Sequence, residues 1–138
     1  MRMKNNIMEI KDKNKILALF FTSKLKADGV RFLTPSSYPL QIGLLEHKNG
    51  RDVPPHKHRD LKYNVNTTQE FLYIERGRAD IKIFNNKWQQ IKKLTMGKGD
   101  FILFIKGGHS VKIHKNTRII EIKQGPFPGD KKAKIFKK

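Results

Sequence analysis

Short apolar runs, broken at close intervals by turn residues, are what most constrain this chain. They fall at 16–21 (ILALFF), 40–45 (LQIGLL), 71–74 (FLYI), 79–84 (ADIKIF), 101–105 (FILFI), 111–113 (VKI) and 118–122 (RIIEI). Between them stand Ala27-Asp28-Gly29, Lys48-Asn49-Gly50, Arg76-Gly77, Asn85-Asn86, Gly97-Lys98-Gly99 and Gly107-Gly108. Asn-Gly is a preferred hairpin turn because both residues tolerate positive φ. Many short runs with frequent turns read as an all-β sandwich or barrel. Helical pieces are expected only near the termini, and short.

Alternation assigns faces. In 79–84 the apolar residues Ala79, Ile81 and Ile83 share one side, and Asp80 and Lys82 share the other. In 118–122, Ile120 and Ile122 oppose Ile119, Glu121 and Lys123. That polar side either meets water or lines a polar cavity.

A chain of 138 residues is one domain long. We expect a core over about 40–124, with an N-terminal extension and a basic C-terminal tail. There are no cysteines, which excludes disulfides and thiolate metal sites and suits a reducing compartment. The run 16–21 is too short to span a membrane and has no signal-cleavage site after it, so the chain reads as cytoplasmic. Together with outward-facing Phe71 and Tyr73, it suits a homodimer interface or, equally, the monomer's own second sheet.

Thirty Lys and Arg against twelve Asp and Glu give a net charge of +18. The lysines are scattered except at 131–138 (KKAKIFKK), and no segment interleaves aromatics with arginines as a single-strand binder does. Specific nucleic-acid binding is therefore not expected. A positive field assists the arrival of an anionic small molecule.

The chemistry concentrates in residues 53–71 (VPPHKHRDLKYNVNTTQEF). Side chains two apart on an extended segment point the same way, so His56 and His58 can reach one ion together. Pro54-Pro55 favours the extended backbone this needs. Glu70 opens the next apolar run and can supply an oxygen ligand. His109 follows Gly107-Gly108, which allows the backbone a close approach. Imidazole and carboxylate suit several divalent metals, so Fe, Mn, Zn and Ni are not distinguished. His47 and His114 have no comparable setting and read as surface residues.

Two blocks of sequence resemble the cupin superfamily. The first is His56-Lys57-His58 followed by Glu70-Phe71-Leu72-Tyr73-Ile74-Glu75-Arg76-Gly77. The second is Gly99-Asp100-Phe101-Ile102-Leu103-Phe104-Ile105-Lys106-Gly107-Gly108-His109. The segment 121–130 (EIKQGPFPGD) is similar to the ending of single-domain bacterial cupins. The resemblance implies a double-stranded β-helix, or jelly-roll barrel, holding a divalent metal on His56, His58, Glu70 and His109. The eleven residues 59–69 would loop out between ligands. Some cupins of this group resemble sugar-processing enzymes, which implies an isomerase or epimerase acting on a sugar or nucleotide sugar. An iron-dependent dioxygenase and a non-catalytic small-ligand module are the alternatives. Facing and proximity nominate Tyr63 and Glu121 as catalytic groups and Gln41 and Lys123 as substrate contacts.

Overall fold

The computed structural model describes residues 3–138. The elements are β1 (Ile7–Asp12), β2 (Lys15–Phe21), β3 (Gly29–Phe32), β4 (Gly43–Glu46) and β5 (Glu70–Arg76). They continue with β6 (Arg78–Phe84), β7 (Gln90–Gly97), β8 (Phe101–Phe104), β9 (Gly108–Ile113), β10 (Arg118–Lys123) and α1 (Asp130–Ala133). The protein is all-β, as its turn-punctuated runs require. Two compact units divide it: Lys26–Asn66, and residues 3–25 together with Thr67–Lys138.

The larger unit holds two antiparallel sheets, neither closed into a barrel. One has five strands in the order β1-β2-β8-β5-β10, and the other has three in the order β7-β6-β9. From β5 onward every connection except that between β6 and β7 changes sheet. Gly77 makes the corner between β5 and β6 at φ +88, and a Cβ there would stand 2.6 Å from the Thr117 Cα. Only glycine fits that conformation in that space.

The core lies between the sheets. Ala18, Phe20, Leu72, Ile74, Ile102 and Phe104 from the five-stranded sheet pack with Ala79, Ile81, Ile83 and Met96 from the other. The alternation in 79–84 therefore reads correctly: its three apolar positions are buried. Burying each large side chain contributes about 1.5–3 kcal/mol.

The run 16–21 lies in β2, between β1 and β8, and Leu17 to Phe21 are all buried. Of its two readings, the monomer's own sheet is the one found. Strands β1, β3 and β7 are additions to the sequence reading. The expected strand 40–45 is the shorter β4, displaced toward Glu46. Asn49-Gly50 closes a turn in which the Gly50 N–H donates to the His47 carbonyl at 3.1 Å, but no strand follows. Residues 51–69 have no helix or strand, so the expected 59–69 loop lies inside a longer irregular segment.

In the smaller unit, β3 and β4 form a two-stranded antiparallel sheet. The Ile42 N–H donates to Thr34 Oγ1 at 3.1 Å across the connection. Among the described residues no helix is long and apolar enough to cross a membrane.

Candidate functional site

Strand pairing brings four polar side chains to one end of the inner faces of the larger unit. Glu70 lies on the same side of β5 as the core residues Leu72 and Ile74. Its register partners are Phe104 on β8 and Lys123 on β10. Glu121 is paired with Leu72, so it shares this face. On the opposing sheet His109 pairs with buried Ile83 and faces inward with it.

The contacts follow. His109 Nε2 stands 3.6 Å from Glu70 Oε1. Lys123 Nζ lies 4.0 Å from Glu70 Oε2 and 3.5 Å from Glu121 Oε1. The His109 ring stacks on Phe104, with centroids 3.7 Å apart and planes 6° from parallel. Glu70 is 17% exposed, so a carboxylate is being kept largely out of water. Its carboxyl is held below the ordinary value of 4.5. The His109 imidazole, 3.6 Å away, is the largest influence. Burial opposes it, while the His109 charge, the neighbouring Glu121 and the Lys123 ammonium reinforce it.

The polar side of the last strand thus faces inward. Ile120 and Ile122, the apolar side, are 43% and 52% exposed. Of the two readings of this strand, the polar cavity fits Lys123, which is 22% exposed, while Glu121 at 45% still meets water. A partner for a buried carboxylate outweighs the loss of two isoleucines to the surface.

The other four nominated residues belong to the smaller unit. His56 and His58 are exposed, yet their rings lie 5.2 Å apart and inclined at 64°. No strand holds them. His56 Nδ1 lies 2.8 Å from the Pro54 carbonyl oxygen. A carbonyl only accepts, so Nδ1 carries the hydrogen and neutral His56 keeps a lone pair on Nε2. Gln41 is committed locally: its Nε2 donates to the carbonyls of Pro35 and Tyr38, each at 2.8 Å. Tyr63 is 77% exposed.

The nominated ligands therefore stand as two pairs, His56 with His58 and Glu70 with His109. Among the described residues no group of three or more His, Cys, Asp or Glu could hold a metal ion. Two donors bound to one ion at about 2.0–2.2 Å each lie roughly 3–4 Å apart. The 3.6 Å between Glu70 Oε1 and His109 Nε2 falls in that span, so this pair fits two positions of a metal such as the resemblance implies.

No family model, curated protein or solved structure matches the chain.

A second polar cluster, on the outer face of the three-stranded sheet, was not foreseen. His114 Nε2 donates to Asp80 Oδ2 at 2.8 Å, and Thr95 Oγ1 donates to Asp80 Oδ1 at 2.8 Å. Arg78 Nη2 donates to His114 Nδ1 at 3.3 Å. A guanidinium has no acceptor, so the two contacts of His114 place a hydrogen on Nε2 and a lone pair on Nδ1. Asp80 is held below its ordinary carboxyl value, first by His114 and then by Thr95. The outward facing of Asp80 was legible; the nearness of His114, which depends on how β6 meets β9, was not.

Proposed function

We propose that the chain is a metal-binding protein of cupin type that acts on a small oxygen-rich molecule, a sugar or nucleotide sugar, by isomerisation or epimerisation. The observation that carries this reading is the Glu70–His109 pair. A carboxylate and an imidazole are held on opposing inner faces at a spacing suited to one ion, with Phe104 fixing the ring. Supporting it, eight strands in two facing antiparallel sheets, with a chain that passes back and forth between them, are the parts of a jelly roll.

In this reading Glu70 and His109 would hold the metal. A bound divalent cation supplies Lewis-acid polarisation of a substrate oxygen. The chain's own groups do the rest. Glu121 is the base beside the cluster, 45% exposed and so open to substrate, and it removes and returns the proton next to a carbonyl. Lys123 bridges Glu70 and Glu121 and orients an anionic or hydroxylated substrate.

Non-catalytic binding of the same molecule is the second reading. One observation favours it: both amide hydrogens of Gln41, a nominated substrate contact, are already used in local structure.

The test is metal analysis of protein purified without chelator, with melting curves in Mn, Fe, Ni and Zn. The reading expects a divalent ion in the native protein and a raised melting temperature with at least one metal. Turnover of a sugar or nucleotide sugar, lost in Glu121→Gln with metal content intact, would then separate enzyme from binding module.

A further inference from the structure

The outer face of the three-stranded sheet carries an arrangement that folding alone disfavours. Lys82 on β6 and Lys93 on β7 are direct cross-strand partners. Like charges in that relation destabilise a sheet. Lys112 stands one step along β9 opposite Asp80, and Ser110 stands opposite Lys82. All three lysines and Ser110 are exposed. Among the described residues none of the three lysines is paired with a carboxylate.

These side chains surround a concavity of about 290 Å³, lined by Asp80, Lys82, Lys93, Ser110, Val111 and Lys112. The volume is at the small end for a ligand pocket and suits one small molecule rather than a strand of nucleic acid. Its one carboxylate forms no ion pair with these lysines. Both Asp80 oxygens are engaged, by Thr95 and by His114.

We propose that this concavity binds a phosphorylated sugar or polyol, with the phosphate held by Lys82, Lys93, Lys112 and the Ser110 hydroxyl. Three point charges and a hydroxyl donor match a phosphate's acceptor-only oxygens. The ligand's charge relieves the repulsion between Lys82 and Lys93. Asp80 retains unused lone pairs and repels a second anion, so it selects a hydroxyl next to the phosphate. The site is separate from Glu70 and His109, and it does not depend on their role.

The test is calorimetric titration of the full chain with inorganic phosphate, a hexose 6-phosphate, the unphosphorylated hexose and a single-stranded oligonucleotide. We expect one saturable site, tightest for the hexose phosphate, weaker for phosphate and undetectable for the hexose. The variant Lys82→Gln/Lys93→Gln should lose about tenfold or more in affinity. Its melting temperature should not fall, because the substitution removes a repulsive pair. The tail variant Lys131→Gln/Lys132→Gln should bind as the parent does. Equal loss in the two variants would reduce the effect to general charge attraction and overturn the proposal. So would the absence of hexose phosphate binding, or binding of the oligonucleotide alone.

Discussion

His109 lies flat on Phe104, its ring 3.7 Å from the phenyl centroid, and in that pose its Nε2 points at Glu70 from 3.6 Å away. The two aromatic groups come from opposing sheets, so the contact both packs the core end and aims the imidazole. Phe104 is 5% exposed. Phe104→Ala should cost about 3–5 kcal/mol, since truncating a buried phenyl leaves a cavity. Urea denaturation reads that loss. Phe104→Leu, which keeps most of the volume, should hold the fold while weakening metal binding.

Glu70 gives the protein an acid-sensitive element. Its folded-state carboxyl sits below 4.5, so folding favours the anion. The stabilisation is complete above the unfolded value and is lost as pH falls through the lower folded value. The urea midpoint should therefore drop between about pH 5 and about pH 3 more steeply in the parent than in Glu70→Gln. Parallel curves for the two proteins would show that Glu70 contributes no such term.

The approach to His109 depends on Gly107. It sits at φ +77, and a Cβ there would run into the Phe84 carbonyl oxygen, a backbone atom that cannot swing aside. Gly107→Ala should destabilise by about 1–3 kcal/mol. Gly50 has a similar φ of +72 but nothing within 4 Å of its missing Cβ. Gly50→Ala should therefore cost less, and melting curves of the two variants test the difference.

Strand β6 was legible because burial on one face imposes period two, and β2 because a short unbroken apolar run reads as a strand buried on both faces. Strand β7 was not. A register shift between Ile83 and Phe84 places an extra residue in its ladder, so Ile91, Leu94 and Met96 all reach the core without alternating. Strand β9 begins at Gly108, inside what reads as a turn, and the Trp88 ring fills the space beside that glycine. At the site, the chemical character of Glu70 and His109 was visible in their settings. The inward turn of Glu121 and Lys123 was not, because local pattern favours burying Ile120 and Ile122. Only the pairing of Lys123 with Glu70 across β10 and β5 reverses that preference. The Asp80–His114 contact likewise needs the register of β6 against β9, which no local pattern encodes.

The most direct measurement is the bound metal per chain in protein purified without chelator, compared between the parent, Glu70→Gln and His109→Ala. Our account predicts a divalent ion near one per chain in the parent and a marked loss in both variants, each still folded by circular dichroism. A parent that carries no metal, and gains no thermal stability from Mn, Fe, Ni or Zn, would contradict it. So would variants that keep the full complement.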